Sequence, residues 1–346
     1  MNQKPPKSTY WSKHVQDPER QHATKIRRRV EKGIHEFFEM REFIHVRTPT
    51  IVVSPGMETH IRPYQLNTGE YLATSPEFSM KKLLVGGLEK IFQICPAYRV
   101  EPKSPQHHPE FTLLEWYRAH ASYEDIMKDF EELMEFLAIQ ITGSSQIRYC
   151  GKPIELKAPW TRLKVYDLFL EFTQIDIKKA STQESMAEEA KKLGLNVDAA
   201  DTWDDLYFKI WLNFIENKLP HDRGVIVYHY PPSQAALSVL EQNSDGSFWA
   251  KRFEPYAGGL ELGNAFEELC DPIEQRKRFE EDMNLREQVY GKSFPKNPID
   301  EEFLAALEEG MPPSGGIAVG VDRLVMLMAN QPNIDKTLWL NSYVKS

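Results

Sequence analysis

A hairpin with an unusual mouth is written into residues Ile91–Tyr117, IFQICPAYRVEPKSPQHHPEFTLLEWY. Ile91, Phe92, Ile94 and Cys95 form an apolar run that reads as a strand. Arg99 and Glu101 follow at its end, and the Pro-rich tip Pro102–Pro105 breaks regular structure. His107–Glu110 then leads into a second strand over Phe111–Tyr117. An ordinary hairpin with a polar loop would satisfy the spacing alone. Glu110, Glu115 and Arg118, however, are interleaved with Phe111, Trp116 and Tyr117. Successive strand side chains point to opposite faces, so this interleaving suggests one face lining a polar cavity.

A chain of 346 residues can build one large domain or two small ones around an ample core. Its formal net charge of −9 and pI near 5.7 argue against a general nucleic-acid binder. Cys95, Cys150 and Cys270 are far apart, odd in number and without a CxxC pair, which suits a reducing compartment and offers no zinc site. No apolar N-terminal run reads as a signal peptide, and no segment of about twenty apolar residues could span a bilayer. The expectation is a soluble cytoplasmic protein with no membrane partner.

Residues 1–20 are polar and contain prolines, and read as a flexible arm. From Gln21 to about Met40, Ile26, Val30, Ile34 and Phe37/Phe38 recur at helical spacing. Phe43–Val53 reads as an extended piece bent at Pro49. Tyr71 begins a short strand that runs into Thr74-Ser75-Pro76-Glu77, where Ser75 can cap a helix with Pro76 at its first position. Glu77 in that first turn is either simple dipole complementarity or functional. Tyr123–Ile141 is an amphipathic helix, and residues 143–220 read as a helical insertion without a site. After the strand Gly224–Tyr230 come AKRFEP (Ala250–Pro255) and LELGNAFEELCD (Leu260–Asp271). Leu260 and Leu262 point one way and Glu261 the other, so Glu254 and Glu261 can face one cavity from adjacent strands. Such carboxylates repel unless a cation intervenes, and oxygen-only ligands favour Mg²⁺ with bound phosphates. A surface strand pair with solvated acids is the alternative. Two helices, Pro272–Tyr290 and Asp300–Glu309, precede a Gly-rich strand joined to an apolar helix, Gly315–Ala329, with Arg323 at the junction.

These segments resemble the three signature motifs of class II aminoacyl-tRNA synthetases: the extended piece with Pro49, the Tyr98-Arg99-Val100-Glu101 hairpin, and Gly320-Val321-Asp322-Arg323. In detail SPE at 75–77, HPEFTLLEWY at 108–117, ELGNAFEEL at 261–269 and the terminal GVDRLVML are similar to lysyl-tRNA synthetases, over roughly Gln21 to Gln331. The resemblance implies an α+β fold, an antiparallel sheet flanked by helices, dimeric through the first motif. Only about twenty residues precede the first helix, whereas an anticodon-binding barrel needs on the order of 100. Residues 21–346 are therefore expected to be a catalytic domain without an anticodon-binding domain. The nearer resemblance is to the family of elongation factor P–(R)-β-lysine ligases, whose acceptor is a lysine of elongation factor P; stable tRNA binding is not expected.

The resemblance also implies roles. Arg99 would grip the α-phosphate of ATP and the substrate carboxylate, His107 and Arg323 the distal phosphates, and Glu101 with Phe111 the adenine, beside Gly320. Glu254 and Glu261 match Mg²⁺ ligands. Glu268 and Tyr117 match groups around the side-chain ammonium of lysine or β-lysine. Glu77 matches its other amine's partner, Asn264 a carboxylate contact, and Ser75 and Ala318 the pocket wall. Three positions depart from the lysyl-tRNA synthetase pattern. Val100 and His108 replace Asn and touch loop geometry. Ala318 stands where those enzymes tend to carry Gly, whereas the elongation factor P ligases resemble this chain in having Ala. A truncated tRNA ligase and a non-catalytic regulatory relic are the rival readings. The joint presence of Arg99, Glu101, Glu254, Glu261 and Arg323 opposes the relic.

Overall fold

The computed structural model describes residues 15–291 and 297–340. Residues 1–14, most of the expected arm, lie outside the described residues. The first helix, α1, spans Pro18–Glu39 and starts earlier than the periodicity predicts. Asp17 caps it by accepting the Glu19 N–H at 3.1 Å, and Pro18 supplies the preset φ of a first helical position. Its apolar stripe buries Val30, Ile34, Phe37 and Phe38 completely, each contributing about 1.5–3 kcal/mol.

A ten-stranded sheet organises the chain. In sequence its strands are β1 Ile44–His45, β2 Lys90–Tyr98, β3 Glu110–Ala119, β4 Thr161–Lys164, β5 Val225–Tyr230, β6 Leu240–Gln242, β7 Phe248–Ala257, β8 Leu260–Glu261, β9 Gly263–Glu267 and β10 Ser314–Gly320. The spatial order is β1-β2-β3-β10-β9-β7-β5-β4, with β6 and β8 paired to β7. The central pairings are antiparallel, as expected. The outermost two, β1 with β2 and β4 with β5, are parallel, which makes the sheet mixed at its edges.

One face of the sheet is closed by α1, by α3 (Tyr123–Thr142) and by α9 (Val321–Met328), after α2 (Glu77–Val85) has been laid on the opposite side. α3 opens with a capping box between Ser122 and Asp125. Trp116, Leu114, Ile317, Val319 and Ala265 all point into this core. The opposite face carries a smaller cluster with α2, α7 (Pro272–Tyr290) and α8 (Glu301–Gly310). The insertion is not wholly helical. It holds α4 (Val165–Thr173), α5 (Gln183–Lys192) and α6 (Trp203–Ile210), but also a hairpin, Gln146–Tyr149 with Lys152–Glu155, and the edge strand β4. Four-residue strands are too short for alternation to separate them from loop, which is why the pattern misses them. Among the described residues no helix is long and apolar enough to cross a membrane.

Candidate active site

The period-two geometry of three central strands builds the site floor. Gly316 lies opposite Tyr117, Ala318 opposite Glu115 and Gly320 opposite Leu113; on the other side Ala318 faces Asn264 and Gly316 faces Phe266. Opposed residues in an antiparallel pair share a face, so β10 lays a strip of small residues between functional side chains on β3 and β9. Gly316 cannot be larger without movement: an added Cβ would stand 2.3 Å from the Tyr117 ring and 2.5 Å from Glu268 Oε1.

Above this floor opens a cavity of about 270 Å³, and all fourteen residues expected in the site line it. They are Ser75, Glu77, Arg99, Glu101, His107, Phe111, Tyr117, Glu254, Glu261, Asn264, Glu268, Ala318, Gly320 and Arg323. The hairpin supplies Arg99 and Glu101 from the end of β2, and His107 and Phe111 from its other limb. Glu254 comes from β7 and Glu261 from β8. Arg323 sits in the first turn of α9.

One end of the cavity is cationic. Arg323 Nη1 donates to the Glu261 carbonyl at 2.7 Å, and its Nη2 lies 3.0 Å from His107 Nε2. Arginine can only donate, so Nε2 accepts, and the Nδ1–H of His107 faces Ser104 Oγ at 2.8 Å. Burial and the Arg323 charge hold His107 below the usual imidazole range. Arg99 makes no ion pair among the described residues. Its guanidinium lies 5.1 Å from the Phe111 ring centroid, with one long 3.5 Å contact to the Thr74 carbonyl and an unpartnered Nε.

Beside these cations, Glu254 accepts from Arg252 at 2.6 Å and from the Tyr256 hydroxyl at 2.7 Å. Glu261 is 40 % exposed, its open side lying toward the cavity. Protein encloses its other sides, and with Glu254 nearby its carboxyl is pushed up to about 7 by burial and repulsion. Among the described residues no set of three metal-ligating side chains converges. The two carboxylates therefore suit a hard divalent cation whose remaining ligands are phosphate oxygens and water.

The other end is acidic. Glu115 is fully buried and accepts from Ser75 Oγ at 2.7 Å and from the Tyr117 hydroxyl at 2.9 Å. Having given its proton to Glu115, the Tyr117 oxygen presents only lone pairs to the cavity. Burial, with Glu77 nearby, pushes Glu115 up to about 8. Burial also pushes Glu268 up to about 8, with Lys81 opposing and Glu77 adding to the rise. Glu77 is raised for the same primary reason. Lys81 is completely buried between them, 2.5 Å from Glu77 and 2.6 Å from Glu268. Glu268 Oε1 and Asn264 Oδ1 are buried without a hydrogen-bond partner among the described residues.

Ser75 does two things at once: it accepts the Glu77 N–H at 3.0 Å and donates to Glu115. The helix itself begins at Glu77, with Pro76 as its flanking residue rather than its first. Lys81 and Arg252 were not expected here. Both had a signal: Lys81 lies one helical turn after Glu77, and Arg252 shares a strand face with Glu254. Asp322 is the acidic residue of the Gly320–Arg323 motif. It is buried, accepts the Thr112 N–H at 2.7 Å and pairs with Arg27, so it locks α9 to β3 and α1 behind the site.

Residues 7–341 match the family described as tRNA synthetases class II (D, K and N). The lysine–tRNA ligase of Syntrophomonas wolfei is 35% identical over 325 residues, covering 92% of this chain and 64% of that protein. Those of Nostoc punctiforme and Agrobacterium fabrum are 36% and 37% identical, covering 92% and 89% of this chain. They cover 57% and 61% of their own lengths, so the chain spans about three fifths of these relatives. With the match running through every element that builds the cavity, the chain belongs to the class II tRNA synthetases of the D, K and N group.

Proposed function

We propose that the protein activates lysine or β-lysine with ATP and transfers it to a lysine side chain of elongation factor P. The observation that carries the reading is the polarity of one cavity, cationic at one end and acidic at the other. Arg99, His107 and Arg323 suit a triphosphate, and Glu77, Glu115 and Glu268 outnumber the single Lys81 among them. A ligand with two ammonium groups supplies the missing positive charge. The relatives' names, lysine–tRNA ligases, agree with that amino acid.

In this reading the substrate carboxylate attacks the α-phosphorus of ATP in line, a P–O bond forms, and pyrophosphate leaves. The acceptor amine then attacks the acyl carbon, and AMP departs. Positioning and charge neutralisation dominate such chemistry. Arg99 orients the carboxylate and the α-phosphate, with Phe111 beneath the guanidinium and Glu101 at the adenine. Neutral His107 accepts from Arg323 and fixes it toward the distal phosphates. Glu254 and Glu261 would hold Mg²⁺, which supplies charge neutralisation to the phosphates when bound. The Tyr117 oxygen and Glu268 accept from the side-chain ammonium, Glu77 from the other amine, and Asn264 sits beside the carboxylate. The methyl of Ala318 shapes the floor for the β isomer.

A homodimer is part of the reading, supported by Met40, Ile44, Ile51 and Val53, which are apolar yet exposed along the first motif. A net charge of −9 supports a protein acceptor over a polyphosphate, and a cytoplasmic site of action follows from a translation factor as acceptor. The relatives' names favour tRNA as a second acceptor reading. Pyrophosphate exchange tests the first half-reaction: exchange should depend on lysine or β-lysine, and exchange driven equally by neutral amino acids would refute the reading.

A further inference from the structure

We propose that Lys81 is a positioning residue whose buried ammonium clamps Glu77 to Glu268, and so sets the spacing at which the acidic end accepts a diamino acid. The proposal rests on the reading of that end given above. Lys81 has no exposed surface, and its Nζ lies 2.5 Å from Glu77 Oε1 and 2.6 Å from Glu268 Oε2. The Phe303 ring, centred 5.9 Å away, closes one side of it. An ammonium in such a place is strongly unfavourable unless paired. Burial works against its charge, but Glu268 and Glu77 outweigh burial and hold it protonated above the usual lysine range.

The clamp joins two different elements. Glu77 belongs to α2, while Glu268 follows β9 on the sheet. Both carboxylates also line the cavity, whereas Lys81 lies behind them. One cation therefore fixes the separation of two acceptors that face the substrate. A diamino acid can be read by the distance between its ammonium groups, and that distance is one carbon shorter in β-lysine than in α-lysine. Ornithine shares the shorter separation but keeps the α-amino acid head. These three amino acids separate recognition of spacing from recognition of the head group.

Other charges face the clamp. Glu58 lies near Glu77, and Glu115 and Tyr117 approach from β3. Cys270 sits near Glu268, and Arg99 lies beyond Glu115. With three carboxylates sharing one resident cation, deleting Lys81 raises the pKa of Glu77 and Glu268 further.

The test uses the full chain in pyrophosphate exchange with α-lysine, β-lysine and ornithine, comparing wild type, Lys81→Met and Lys81→Arg. Lys81→Met should lower the β-lysine over α-lysine ratio of kcat/KM about tenfold. It should also move the acid limb of kcat/KM to higher pH while leaving KM for ATP unchanged. Lys81→Arg keeps the charge but changes its reach, so the limb should stay and the isomer ratio should shift. If Lys81→Met does not fold, Lys81→Arg decides alone: an unchanged isomer ratio overturns the clamp. So does a folded Lys81→Met whose ratio and limb match wild type, or whose KM for ATP and for amino acid rise in parallel. Silence of the wild type with all three amino acids would strike the proposed function itself.

Discussion

His107 Nε2 and Arg323 Nη2 stand 3.0 Å apart across 216 residues of chain, joining the hairpin loop to the first turn of α9. The contact requires a neutral imidazole, and burial with the Arg323 charge keeps it so. Arg323→Ala should therefore raise the His107 pKa toward the ordinary imidazole value, followed by histidine NMR. An unmoved His107 titration would deny the contact. The same variant, and Arg99→Ala, should lose lysine-dependent pyrophosphate exchange with the fold intact by circular dichroism. Near-normal exchange by either folded variant would remove the phosphate role.

Glu268→Gln keeps shape and removes charge. Breaking a buried charge pair with the ligand should cost about 2–5 kcal/mol in amino-acid affinity, with ATP affinity nearly unchanged. Because Glu268 also pairs with Lys81, a lower Tm should accompany the loss. Titration calorimetry with each ligand separates the two, and equal losses for both ligands would place Glu268 elsewhere.

Glu115 and Glu268 are both pushed up to about 8, so without ligand each carries a partial proton near neutral pH. A cation entering between them lowers both values and expels protons. Amino-acid binding at pH 7 should therefore release protons, and affinity should climb from pH 6 to about 8. Calorimetry in buffers of different ionisation enthalpy measures the release; proton uptake would contradict it. Folding responds to pH in the opposite sense to binding. These carboxyls hold protons in the folded state that the unfolded chain, at ordinary carboxylate values, has lost. Their contribution to stability is thus largest below the unfolded values and falls as pH rises to about 8, and saturating amino acid should flatten that fall.

Ala318→Gly should shift preference from β-lysine toward α-lysine, by about 1–3 kcal/mol in the ratio of kcat/KM. The methyl faces the site between Glu115 and Asn264 on neighbouring strands, where a substrate backbone must pass. Parallel changes for both isomers would reduce Ala318 to packing.

Much of this site was legible because strands have period two: Phe111, Glu115 and Tyr117 share the site face of β3, whereas Trp116 and Arg118 fall on the other, Trp116 in the core and Arg118 on Asp129. The junction at Arg323 was legible because Gly-rich strand and apolar helix differ so sharply. Lys81 was not, because a lysine one turn after a glutamate is ordinary on any exposed helix, and its burial depends on α8 and Phe303 arriving from far along the chain. The insertion's edge strand was hidden for a similar reason, since Thr161–Lys164 becomes a strand only by pairing with β5.

The acceptor is identified by following label. The protein is incubated with ATP, Mg²⁺ and radiolabelled β-lysine, together with either elongation factor P or total tRNA. ATP-dependent label is expected on elongation factor P and none on tRNA. Label on tRNA with elongation factor P unlabelled would contradict it.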